Sequence, residues 1–207
     1  MTERTRKLVG AAGLTAWVLT AGPSSAADRE IQTVVLHLSD LAGTAAADLG
    51  RARAETRRIF DAIGVAVTWA DASEGPAGGE CPGRALSISL LPPHLVREAA
   101  RQRGSDKLLG SAVPSAGYAL IYSDRISALA PQSRMDEGVL LGRVIAHEVG
   151  HLLLPKAHHS STGLMTAGMD TDPTGLRARF MPEESRAIHE RLRSKPGNGG
   201  PSSGCGI

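Results

Sequence analysis

Hydrophobic and polar positions along the chain divide it into short alternating runs and longer helical repeats. Residues 31–38 (IQTVVLHL) are rich in branched side chains and predict a strand. From Thr44 to Ile63 the apolar positions Ala45, Leu49, Ala52, Ile59, Phe60 and Ile63 recur at roughly helical intervals, with Thr56 in the gap of the series. Arginines and Glu55 occupy much of the remainder, and Gly64 stands where a helix stops. Residues 65–69, 85–91, 108–113 and 117–122 read as four more strands. Pro92-Pro93 ends the run at Leu91, and a short helix over His94–Arg103 follows.

From Ser133 a longer helix is predicted, with Asp136 three residues on as a variant capping box. It runs through Leu140, Val144, Ile145, Val149 and Leu152 and is apolar nearly all round, so it belongs inside the domain. A last helix covers Pro182–Leu192. The order of elements predicts an α+β domain, a sheet of about five strands packed on two helices with one helix buried.

The two ends stand apart from this pattern. Arg4, Arg6 and Lys7 precede an apolar run from Leu8 to Thr20, and small residues follow at 23–27. That is the order and size of a secretory signal over residues 1–27, and the run is short for a membrane span. The expected division is a signal peptide at 1–27, one domain at 28–193 and a Gly/Ser/Pro-rich tail at 194–207, with the mature protein secreted and carrying no stable membrane anchor. Removing residues 1–27 takes away Arg4, Arg6, Lys7 and Glu3, so 23 basic and 21 acidic residues become 20 of each. A neutral chain argues against a nucleic-acid partner. Cys81 and Cys205 both lie among glycines. They are either a disulfide pair or two separate thiols, and they lack metal-ligand spacing.

The chemistry concentrates in residues 146–165, AHEVGHLLLPKAHHSSTGLM. His147 and His151 are four apart, which on a helix stacks them on one face where both imidazoles reach one ion. Glu148 is adjacent, where its carboxylate can take a proton from a water held by the metal. Zn2+ suits this set because it acidifies such a water and polarises a carbonyl. A catalytic zinc has three protein ligands. The downstream candidates are His158, His159, Asp170, and the pair Glu183 and Glu184, which would make a gluzincin-type site. Two acids in the first turn of a helix are also accounted for by the helix dipole. His37, His94 and His189 read as structural or surface histidines, and Tyr118 and Tyr122 as sheet packing.

The stretch resembles the metzincin metalloproteases, whose pattern is HExxHxxGxxH followed by a methionine-containing turn. The ending His159-Ser-Ser-Thr-Gly-Leu-Met165 is similar to that of the matrix metalloproteinases, and Met165 lies 18 residues after His147, as there. The resemblance implies a zincin/metzincin-like fold with a mixed twisted sheet. It implies zinc held by His147, His151 and His159, Glu148 as general base, Met165 beneath the metal, and peptide or protein substrates. His158 is the alternative third ligand. Two departures stand out: Leu154 occupies the glycine position, and the third histidine comes one or two residues late. Pro155 can do the stopping instead, because it disfavours helix at Leu154 and cannot continue one. The eight residues from His151 to His159 can span up to about 26 Å, ample for a return to the metal. The expectation is a secreted zinc metalloendopeptidase. A gluzincin-type hydrolase and a non-catalytic metal-binding protein are the competing readings.

Overall fold

The computed structural model describes residues 31–71, 83–103, 108–155, 159–168 and 174–194. The expected signal peptide, the expected tail beyond Ser194, both cysteines, His158 and Asp170 lie outside these residues.

Alternation over residues 32–40 gives the first strand, β1 (Gln32–Asp40), whose Val34, Leu36 and Leu38 point into the core. Helix α1 (Ala46–Asp61) returns the chain to β2 (Val65–Asp71), which pairs parallel with β1. β3 (Arg84–Leu91) pairs parallel with the other side of β1, and Leu86, Ile88 and Leu90 join the same core face. After α2 (Pro93–Arg103), β4 (Gly110–Val113) and β5 (Tyr118–Tyr122) form an antiparallel hairpin, with β5 parallel to β3. The sheet order is β2-β1-β3-β5-β4, so the short antiparallel β4 is an edge strand. The mixed five-stranded sheet and the α+β class agree with the expectation.

One face of the sheet carries α1 and the central helix α4 (Glu137–Leu153), fourteen of whose 17 residues are buried. The predicted encirclement by apolar neighbours is therefore real. Two glycines set how closely the helices approach. A Cβ at Gly138 would lie 2.7 Å from the Asp48 carbonyl oxygen, and one at Gly142 would lie 2.6 Å from that of Ala52. Thr56, the polar gap in the apolar series of α1, donates from Oγ1 to the Ala52 oxygen (2.9 Å) and across to the Gly142 oxygen (3.1 Å). The opposite face of the sheet is more open, with Thr68, Ala85, Ser87 and Tyr118 exposed, and it carries a second, smaller apolar cluster of Leu91, Tyr122 and Val96.

Two sequence expectations are corrected. The helix expected from Ser133 begins at Glu137. Asp136 is its N-cap, accepting from the Val139 amide at 3.0 Å, while Ser133 ends an unforeseen helix, α3 (Ser123–Gln132). The two helices are separated by Arg134, whose positive φ of 54° breaks the helical path. His189, on α5 (Pro182–Arg193), is not a surface histidine. Its Nε2 faces the Ile63 carbonyl at 2.7 Å and its Nδ1 faces Gln32 at 2.5 Å, which ties the last helix to β1 and to the end of α1.

Candidate metal centre

Helix α4 carries His147 and His151 one turn apart, with their Nε2 atoms 3.1 Å from each other. The chain leaves the helix at Leu154, whose ψ of 147° is extended and whose amide still reaches the Gly150 oxygen at 2.9 Å. That is the conformation a following proline imposes, so Pro155 stops the helix in place of the glycine. The chain returns at His159. The rings of His151 and His159 stand 4.9 Å apart, and those of His147 and His159 5.7 Å apart. One ring nitrogen from each of the three histidines lies within 4.8 Å of the others. Among the described residues this is the group able to hold a metal ion. His147 is buried, His151 half-buried and His159 exposed, so the cluster opens to solvent on one side.

The tautomer of His147 is fixed by its surroundings. Its Nδ1–H donates to the Leu164 carbonyl oxygen at 2.7 Å, because a carbonyl can only accept. Nε2 is thereby left as the lone-pair donor toward the cluster. Burial pushes the His147 imidazole below its usual pKa; the Leu164 hydrogen bond acts against that, and the neighbouring His159 adds to it. A neutral imidazole is the metal-binding form.

The donor set fits a metal. Two nitrogens sharing a tetrahedral zinc at bond lengths of 2.0–2.1 Å sit roughly 3.3 Å apart, close to the 3.1 Å between the helix imidazoles.

Residues 160–166 close into a tight turn. The Ser160 amide donates to the Met165 oxygen at 2.8 Å, and the Leu164 amide to the Arg179 oxygen at 2.8 Å. Gly163 has φ 85°, and a Cβ there would lie 3.0 Å from the Arg179 oxygen. Met165 is fully buried, its sulfur packed on Gly150, where a Cβ would lie 2.5 Å from Sδ. Gly150 directly precedes His151, so the methionine lies under the turn of helix that carries the histidines.

Glu148 is 6 % exposed and lies against the first residue of the edge strand. A Cβ at Gly110 would be 2.8 Å from both its Cγ and its Oε1. Glu183 and Glu184 do not join the histidine group. Glu184 is buried and accepts from the Met181 amide at 2.7 Å, capping α5, while Glu183 is exposed in the same turn. His37 is half-buried within β1 and His94 is exposed.

Gly110, Gly150 and the Leu164 carbonyl did not stand out in the sequence. The two glycines carried a faint signal, since a glycine inside a strand or helix weakens it and marks close approach of another group. A backbone carbonyl carries none.

A mixed five-stranded sheet with an antiparallel edge strand, backed by a buried helix bearing two of three clustered histidines, defines a zincin-like architecture. Among solved structures the chain is similar to the archaemetzincin of Methanopyrus kandleri, with a TM-score of 0.50 and 12% identity over 81% of this chain and 98% of that one. At that identity the likeness is one of fold. No family model matches the chain, and no curated protein does either.

Proposed function

We propose that the protein is a zinc-dependent metallopeptidase of the metzincin-like type. The observation that carries this reading is the convergence of three imidazoles, two of them on the helix that also carries Glu148, whose buried side chain lies against the start of the edge strand. His147, His151 and His159 would hold the zinc. When bound, zinc supplies a Lewis acid that polarises a scissile carbonyl and makes a nearby water acidic.

The remaining work falls to the chain. Glu148 accepts the proton of the attacking water and passes it to the leaving amine. The outer side of β4 offers main-chain groups with which an extended peptide can pair, so that its carbonyl is aligned with the site. Leu164 holds the His147 ring in orientation through Nδ1. The ending His159-Ser-Ser-Thr-Gly-Leu-Met165 and the seat of Met165 under Gly150 support the metzincin subtype. The basic start and apolar run of residues 1–20 support export, with action on peptides or proteins outside the cytoplasm.

The test is zinc content together with hydrolysis of a mixed peptide library, for wild type, Glu148→Ala and His159→Ala. Wild type is expected to bind one zinc and cleave. Glu148→Ala keeps zinc and loses at least about a hundredfold in rate. His159→Ala loses zinc. Equal cleavage by wild type and Glu148→Ala would sink the mechanism, and normal zinc in His159→Ala would move the third ligand elsewhere.

A further inference from the structure

We propose that Gly110 is a positioning residue for Glu148: the missing side chain at the start of the edge strand makes the space in which the carboxylate lies. This rests on the reading of Glu148 as the base.

Gly110 pairs directly with Ile121 across the β4–β5 ladder, and directly opposed residues project to the same face of a sheet. Ile121 points into the core beneath α4, so position 110 also faces α4. There it meets Glu148. A Cβ would stand 2.8 Å from Cγ, 2.8 Å from Oε1 and 3.0 Å from Cδ, all inside contact distance. Gly110 has no left-handed φ, so its backbone conformation does not require glycine. What requires it is the carboxylate.

α4 also touches α1 through Gly138 and Gly142, at distances no Cβ could occupy. What a side chain at 110 would meet is the Glu148 side chain and not backbone, so it acts on the torsions of Glu148 and moves the carboxylate from its place. The strand proposed to align the substrate would thus also set the position of the base, and one displacement would disturb both.

The experiment is a double-mutant cycle on the full chain, with wild type, Gly110→Ala, Glu148→Ala and the double variant. It reads melting temperature, zinc content and hydrolysis. Gly110→Ala is expected to lower the melting temperature by about 5 °C in the wild-type background. In Glu148→Ala, with the clash removed, the same change leaves it unaltered or raises it slightly, as glycine-to-alanine does at an ordinary φ. Zinc remains at one per chain throughout. In Gly110→Ala, kcat falls about tenfold to a hundredfold with KM within about twofold, and the acidic limb of the kcat/KM profile moves. Equal melting shifts in the two backgrounds overturn the proposal. So does undiminished kcat with an unmoved pH profile in Gly110→Ala. If the melting shifts are coupled but Glu148→Ala still cleaves like wild type, the contact stands; the base assignment then fails, and the positioning role with it.

Discussion

The Nδ1–H of His147 and the carbonyl oxygen of Leu164 are 2.7 Å apart, joining the central helix to the turn that holds Met165. One candidate ligand is therefore oriented by the segment that follows the third. A metal bound by His147, His151 and His159 would close the same two segments a second time. An ion that binds only the folded state stabilises by about 4 kcal/mol at a thousandfold excess over its Kd, which is roughly 10 °C of melting temperature for a chain of this size. Zinc is expected to raise the melting temperature by that order, and a chelator to reverse it. His159→Ala should abolish most of the rise. Thermal scans of metal-free protein with and without added zinc check this.

Met165 and Gly150 make a second contact between turn and helix. Alanine at 150 favours helix by about 1 kcal/mol. Its Cβ would, however, lie 2.5 Å from the Met165 sulfur and 2.9 Å from a Phe180 ring carbon. Overpacking a filled core costs about 1–3 kcal/mol, and both neighbours are buried, so the clash wins. Gly150→Ala is expected to destabilise by about 1–2 kcal/mol in urea unfolding. Met165→Ala in the same chain should make that added change smaller, since it removes the sulfur.

Glu55 joins α1 to the buried Arg143 of α4. It accepts from Arg143 Nε at 3.1 Å and from Arg58 at 2.7 and 2.8 Å. Burial by itself would push this carboxyl up. The hydrogen bonds from Arg58 and Arg143 outweigh burial and hold it below its ordinary value of 4.5. The unfolded chain thus binds this proton at higher pH than the native one. The stabilisation is fully present above about pH 4.5 and is lost as pH falls through the lower native value. Glu55→Gln should flatten the acid limb of a stability-against-pH curve at its upper end. Glu55→Ala should cost about 3 kcal/mol at neutral pH, because Arg143 keeps its burial and loses its carboxylate. Urea unfolding across pH 3–7 measures both.

What could be read from the chain tracks the strength of each local signal. The central helix was legible because its apolar residues surround it, and because a His-Glu-x-x-His spacing places two imidazoles on one face of a helix. Its start was misplaced since Ser133 and Asp136 are both good caps, and choosing between them needed the backbone at Arg134. Helix α3 was missed: it buries only Ile126 and Ala130 and contains Pro131, so it has almost no apolar stripe. Strand order was not legible, because pairing partners are set by the helices that cross between them. His189 was misjudged because its partners, Gln32 and Ile63, are distant in sequence. Of the site, the helix histidines and Glu148 came from spacing alone, and the choice of His159 leaned on the Ser-Ser sequence after it. The supports of the site escaped notice because they are glycines and a carbonyl, which matter only for what lies against them.

Leu154 shows why the metzincin glycine is not simply missing here. That glycine serves a helix that ends in a left-handed residue. Leu154 is instead extended, with φ −77° and ψ 147°, and it is 6 % exposed in the main core cluster. The chain turns away from the helix through Pro155 while its predecessor contributes to the interior. Leu154→Gly would supply the residue of the metzincin pattern but remove a buried side chain from a position that has no need of positive φ. The lost packing costs about 2–5 kcal/mol, with a further contribution from the greater freedom of glycine in the unfolded chain. The variant is therefore expected to be less stable by at least about 3 kcal/mol and to bind zinc no more tightly than wild type. A variant as stable as wild type, or one with a gain in zinc affinity, would mean that the helix end relaxes to the left-handed form. Urea unfolding and competitive zinc titration of Leu154→Gly distinguish the two.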